Sequence, residues 1–317
     1  MQSINAKCRE RLDELKNNLE ASFPRETNFS ENLCVYACGS LGRLEMSKQS
    51  DLDLFFISMP DENDDSPFFS NIDKYIFFAK LYEINKKLGY QDPSKKGEYW
   101  NFITKKKLLD IGSRQEDFNN SFTARMLLLL ESKPIYNTLA YKNLVTEIID
   151  KYFIDYVNNR EDFHPLFLMN DILRYWYTLT MNYEHRRDEN DSESKKNWKR
   201  LKLKYARLVT CYSMLGCLYK NNITPEYVLE CISITPFERF YKLSLLNSKV
   251  KNIVEEIINE YRWFLSLKSE ESDWWNKGDN KLIALKHADS FHEMVVHKLM
   301  KTVSEGNPAL RSKADVY

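Results

Sequence analysis

The chain has 317 residues, 43% hydrophobic and 14% aromatic, enough to bury a full core and better suited to two packed domains than one. Lysine plus arginine equals aspartate plus glutamate at 46 each, so no whole-molecule field draws it to DNA or an anionic membrane. The six cysteines sit mostly inside apolar segments with no CxxC spacing, which argues against a zinc site or redox motif and reads them as reduced core residues.

The opening MQSINAKCRERLDELKNNLE places Ile4, Cys8, Leu12, Leu15 and Leu19 on one helical stripe with charges elsewhere, unlike a signal peptide. No run reaches the roughly 20 apolar residues of a bilayer span, and the expectation is a cytoplasmic protein. LCVYACG reads as a buried strand and LDLFFIS as a second one after a polar turn, followed by DENDDSP, residues 61 to 67, as a solvated loop. From Phe68 to Leu88 a helix is expected to present Phe69, Ile72, Ile76, Ala79 and Tyr82, widened by Phe77, Phe78, Leu81 and Ile84, with Gly89 as its stop. GEYWNFIT, residues 97 to 104, alternates as a third strand would.

From about Phe122 the texture turns helical, in TARMLLLLES, LVTEIIDKYFIDYV, PLFLMNDILRYWYTLTMNYE, KLKYARLVTCYSMLGCLY and NIVEEIINEYRWFLSL. HRRDENDSESKKN, residues 185 to 197, is expected to be a charged loop, and the polar tail from Ser304 to Tyr317 to be mobile. The predicted class is α+β, with a small mixed-sheet domain over 1–121, an α-helical domain over 122–303 and a flexible tail over 304–317.

One stretch carries chemistry. In VYACGSLGRLEMSKQSDLDLFFI, Gly39 and Ser40 end the first strand in a turn whose backbone N–H groups suit a phosphate. Asp51 and Asp53, two apart on the next strand, leave the same face with Cα atoms about 7 Å apart. Carboxylates that close repel unless a cation lies between them, and two divalent ions about 3.5–4 Å apart are the arrangement that activates a hydroxyl and steadies the leaving oxygen in phosphoryl transfer. A surface turn with a solvated DLD is the bland alternative, which GS or DxD alone would deserve; Gly39, Ser40, Arg43, Glu45, Ser50, Asp51 and Asp53 together between two apolar strands are far more specific.

The run GSLGRLEMSKQSDLDL resembles the signature of the polymerase-β-like nucleotidyltransferases, particularly the GSxGRxE…SDxD branch that includes uridylyl- and adenylyl-transferases acting on nitrogen-regulation proteins. The resemblance implies a nucleotidyltransferase domain in which Gly39 and Ser40, with Arg43 and Ser50 nearby, meet the triphosphate. Asp51 and Asp53 would bind two Mg²⁺, with Mn²⁺ as a substitute, and Arg43 and Glu45 would chiefly brace the turn. A third carboxylate on a following strand would complete the catalytic and metal set: Glu98 first, because it shares a face with Trp100 and Phe102, then Asp92, then Asp110.

In the helical part, Asp171 and Arg174 are three apart on one helix, and Lys199, Lys202 and Arg207 lie on the next, flanked by Trp198 and Tyr205. They read either as a solvated basic face or as cations that clamp a triphosphate or nucleotide chain, with an aromatic left for the base. With RQEDFNNSFTARMLLLLES, this helix pair is similar to the Hailong-type antiphage nucleotidyltransferases, which carry an α-helical second domain. That likeness implies template-independent synthesis of single-stranded DNA oligomers from dNTPs, primed on a C-terminal hydroxyl, here Tyr317, with a membrane channel as effector partner and no insertion of the enzyme itself into the membrane. AMP or UMP transfer to a protein, synthesis of a nucleotide messenger, and an inactive nucleotide-binding regulatory subunit stay open beside it. His287, His292 and His297, at spacings of five, should spread around their helix rather than gather for zinc, and Trp274 with Trp275 reads as packing.

Overall fold

A computed structural model describes residues 2–24, 27–47, 50–59, 68–93, 97, 100–113, 120–185, 192–269 and 278–305. The fold is α+β, in two compact units, Met1–Lys151 and Tyr152–Tyr317. No helix among the described residues is long and apolar enough to cross a membrane.

The first unit runs α1 (Gln2–Ser22), α2 (Asn28–Asn32), β1 (Leu33–Ala37), α3 (Gly39–Gly42), β2 (Leu54–Ser58), α4 (Asn71–Lys87), β3 (Phe102–Thr104), α5 (Lys105–Leu109), α6 (Ser121–Glu131), β4 (Lys133–Tyr136) and α7 (Thr138–Tyr152), whose last residue falls in the second unit. The strands form one sheet in the order β3-β2-β1-β4. β1 pairs antiparallel with β2, Leu33 opposite Ser58 and Ala37 opposite Leu54, and antiparallel with β4, while β2 and β3 are parallel. Because β1 is central and covered on both sides, all five of its residues are buried, the reason LCVYA reads as a continuous apolar run.

One face of the sheet carries Leu33, Val35, Ala37, Leu54 and Phe56 against Leu15 and Leu19 of α1 and Phe77 and Leu81 of α4. On the other, Tyr36 stacks on Phe55 with centroids 5.4 Å apart and donates its hydroxyl to the Ala124 carbonyl of α6 at 2.9 Å. β4 lies beside β1, so α6 and β4 belong to the sheet unit. The shift to helical texture at Phe122 therefore falls inside the first unit, and the second unit begins at Tyr152 rather than at 122.

Three elements differ from expectation. α4 starts at Asn71 behind a Ser70/Asp73 capping box and stops before Gly89, which has φ +68°, but it buries Phe77, Leu81 and Ile84 and leaves Ile72 69% and Tyr75 72% exposed. Apolar residues occur on both sides of this helix, so periodicity alone picked the outer stripe. β3 covers only Phe102–Thr104, because a turn closed by the Trp100 N–H on the Gly97 carbonyl at 2.9 Å, with Gly97 at φ +85°, interrupts the alternation. The charged stretch expected to be a loop as far as Asn197 is helical from Glu193, where the Ser192 hydroxyl accepts the Lys195 N–H. The segment 61–67, Trp274, Trp275 and the end of the tail fall outside the described residues.

The second unit is helical: α8 (Leu166–His185), α9 (Glu193–Lys202), a π-helical turn Leu203–Arg207, α10 (Leu208–Leu218), α11 (Pro225–Ser233), α12 (Pro236–Leu246), α13 (Lys251–Ser269), α14 (Asn280–His292), a second π-helical run Glu293–Leu299, and α15 (Met300–Ser304). Every residue of α10 is buried. Gly216 lets α12 approach it, since a Cβ there would lie 2.7 Å from Leu243 Cδ1. The second π-helical run alters the histidine spacing for one pair only, since His287 stays apart, stacked on Trp263 and bonded to Glu260. The run's under-wound backbone turns a five-residue spacing back toward one side, and the His292 and His297 rings stand 6.2 Å apart.

Replacing Phe77 by Ala empties a position packed between Phe23, Phe29 and Phe56 and should cost about 3–5 kcal/mol in urea unfolding, whereas Ile72→Ala on the same helix should stay within about 0.5 kcal/mol. Equal effects would mean that the buried face of α4 is misassigned.

Candidate functional site

The GS turn grows directly from the end of β1. Cys38 is extended, and its N–H bonds the Asp53 carbonyl at 3.0 Å, which carries the β1–β2 pairing one step past the strands. Gly39 then takes φ +63° and starts the four-residue α3. A Cβ on Gly39 would lie 2.4 Å from Asp53 Oδ2, so only glycine lets that carboxylate sit against the turn. Gly42 is needed for a different reason: its Cβ would lie 2.0 Å from the Glu131 carbonyl oxygen.

Asp51 and Asp53 stand in the segment just before β2, not on the strand itself, which starts at Leu54. Their alternation survives there: Leu52 is buried with the core, Asp51 is exposed and Asp53 half-exposed, so the two acids share the side opposite Leu52. Ser40 is half-exposed beside them, and no partner for its hydroxyl is found among the described residues.

Arg43 is not on that surface. It is buried, donating from Nε to Glu45 Oε2 at 2.9 Å and from Nη1 to Glu131 Oε2 at 2.6 Å, while Glu131 Oε1 accepts the Gly39 N–H at 3.2 Å. Its place among nucleotide-contacting residues is therefore corrected to that of a brace, as is Gly39's N–H, which is taken by Glu131. Ser50 likewise serves the loop, accepting the Ser47 N–H at 3.1 Å with its hydroxyl. Cys8 of α1 anchors the same loop through the Met46 N–H at 3.2 Å. Glu131 was not singled out from sequence. An acid at the end of LLLLE was the available signal, but its partners lie some ninety positions away and no spacing rule links them.

The third carboxylate is not completed by the described residues. Asp92 pairs with Lys86 at 2.5 Å on the exposed end of α4, and that hydrogen bond raises the Lys86 pKa. Asp110 is exposed after α5. Among the described residues no group of three or more His, Cys, Asp or Glu is placed to hold a metal ion, so neither acid joins Asp51 and Asp53. Glu98 lies outside the described residues. Trp100 and Phe102, whose face it was expected to share, pack with Phe78 and Phe56 on the core side of the sheet, opposite the side of Asp53.

In the second unit, Asp171 is buried, accepts the Tyr152 hydroxyl at 2.5 Å and lies 3.6 Å from Arg174 Nη1, so the pair expected on α8 forms as part of its packing. Lys199 and Lys202 are exposed on α9, with Lys202 Nζ 5.8 Å from the Trp198 ring centre, and half-exposed Arg207 ends the first π-helical turn. Tyr205 is no stacking platform. It is fully buried between Phe264 and Phe291, at 4.6 and 4.5 Å, and burial raises its pKa. Tyr317 lies outside the described residues.

Comparison with protein families, curated proteins and solved structures finds no match to this chain.

Removing the Glu131 carboxylate takes the acceptor from Arg43 Nη1 and from the Gly39 N–H in the interior, while Arg43 Nε keeps its bond to Glu45. Glu131→Ala should cost about 2–3 kcal/mol in denaturant unfolding, the scale of buried donors left without their acceptor, and more than Asp51→Ala on the exposed side. A Glu131→Ala loss below about 1 kcal/mol would show that the turn is held by its backbone alone.

Proposed function

We propose that the chain is a Mg²⁺-dependent nucleotidyltransferase of the polymerase-β-like kind, the sheet unit serving as its catalytic domain and the helical unit as its second domain. The observation that supports this most is the packing of the Asp53 carboxylate on Gly39 of the GS turn, with Asp51 on the same side. The donor set fits divalent ions in part: two carboxylates share a face, and the third ligand is sought at Glu98. Ions held by these acids would neutralise phosphate charge and activate the acceptor hydroxyl.

The chain's own contribution is positioning. The Cys38 to Asp53 backbone bond fixes where the second acid stands, the lack of a side chain on Gly39 leaves room for it, and Ser40 offers a hydroxyl to a phosphate oxygen. Within the helical unit, Lys199, Lys202 and Arg207 are proposed to offer cations to a phosphate chain. The proposed product is a single-stranded DNA oligomer built from dNTPs without template in antiphage defence, with Tyr317 as primer and a membrane protein as its effector partner. A second reading, a nucleotide-binding regulatory subunit without turnover, is favoured by the lack of a third acid beside Asp51 and Asp53 among the described residues.

Purified protein incubated with Mg²⁺ and each labelled NTP and dNTP, then resolved on denaturing gels and by intact mass, should give a protein-attached ladder with dNTPs. Asp53→Asn should reduce it by at least about 10²-fold, the scale expected when a catalytic metal ligand is lost, and Tyr317→Phe should remove the ladder. Labelled nucleotide bound but never transferred would support the regulatory reading, and transfer undiminished in Asp53→Asn would overturn the assignment of the site.

A further inference from the structure

The helix α4 of the sheet unit is apolar on two sides. Phe77, Leu81 and Ile84 are packed in the core, whereas Ile72, Tyr75, Ile76, Ala79 and Tyr82 are exposed on the outer side. At about 100° per residue these five fall within about 120° of the helix circumference, so they form one continuous strip nearly three turns long. Tyr75 is 72% exposed, Ile72 69%, Ile76 52% and Tyr82 43%, and Phe68, just before the helix, adds 42%. A helix apolar on both sides belongs in an interior, where a second surface covers the side that its own core leaves bare. With a whole aromatic side chain presenting about 150–250 Å², the exposed fractions amount to about 600 Å² on one chain, the upper end of the largest apolar patch on an ordinary monomer.

We propose that this strip is the contact between two copies of the chain, the two α4 helices crossing antiparallel on a two-fold axis at Ala79. A symmetric pair of this kind covers about 1,200 Å² in total, which reaches the range of specific interfaces. The sequence is also self-complementary about Ala79. Ile76 and Tyr82 each stand three positions from it, so each Ile76 comes level with the other copy's Tyr82. Tyr75 and Glu83 each stand four positions away, which brings a phenol hydroxyl to an exposed carboxylate. Ile72 and Lys86, seven away, lay an apolar side chain along a lysine stem, while the Lys86 ammonium is already paired with Asp92 at 2.5 Å. In that register none of these charges is set against its like, and Ala79 is small enough for the helix axes to approach to about 8 Å at the crossing.

Analytical ultracentrifugation of the full-length protein over a concentration series should show a species of twice the 37.8 kDa chain mass that grows with concentration, and the thermal unfolding midpoint should rise in step. Ile76→Asp should keep the native circular dichroism spectrum yet stay monomeric throughout, with a midpoint that no longer depends on concentration. Leu245→Asp, at an exposed apolar position of the helical unit, should dimerise as the native chain does. Because the six native cysteines are buried, Ala79→Cys under mild oxidation should give a dimer joined through residue 79 alone, mapped by mass spectrometry and reversed by dithiothreitol. A native chain that is monomeric at every concentration, including one whose α4 strip takes up a different protein or a lipid vesicle instead, would overturn the proposal. So would a dimer that survives Ile76→Asp, or one that Ala79→Cys does not cross-link.

Discussion

The contact between the Asp53 carboxylate and the α-carbon of Gly39 organises the sheet unit's functional end. It exists because Gly39 has no side chain and a left-handed backbone, and because the Cys38 N–H bonds the Asp53 carbonyl, so turn and acid are fixed to each other through the main chain. Behind the turn, Glu131 receives both the Gly39 N–H and the Arg43 guanidinium, and Gly42 lets the backbone pass against the Glu131 carbonyl. A buried acid paired in this way holds position strongly, since moving it leaves two buried donors without their acceptor. The turn's outer side is thus left to Ser40, Asp51 and Asp53, while its inner side is occupied by the brace.

That division explains why a single short signature mixes two kinds of residue. Ser40, Asp51 and Asp53 belong to the surface at which chemistry is proposed; Gly39, Gly42, Arg43, Glu45 and Ser50 build the support beneath or beside it. The sheet order places α6 and β4 next to β1, and only by that route does Glu131 come to the turn. The helical sequence after Phe122 thus serves two structures: its first part completes the sheet unit, and the rest forms the separate bundle around α10.

The bundle shows how helical irregularity regroups side chains. The π-helical runs 203–207 and 293–299 depart from the regular turn that sequence periodicity assumes, which draws His292 and His297 together. Tyr205, expected at a basic surface, is enclosed by Phe264 and Phe291 instead. α12 approaches α10 closely in the same bundle, because Gly216 has no side chain to meet Leu243.

From the chain alone, β1, β2, α1, the glycine-ended α4 and the helical character of the second half could be read, since each depends on local periodicity and on turn residues acting within a few positions. The shared side of Asp51 and Asp53 was readable for the same reason, as an extended backbone alternates whether or not it is paired. Tertiary structure decided which side of α4 faces the core, because apolar residues lie on both; where the first unit ends, because β4 is recruited by β1; and that Arg43 is a brace, because its partner Glu131 comes from a distant helix. These are long-range pairings, and their cause is the complementarity of surfaces that meet only after the chain has folded.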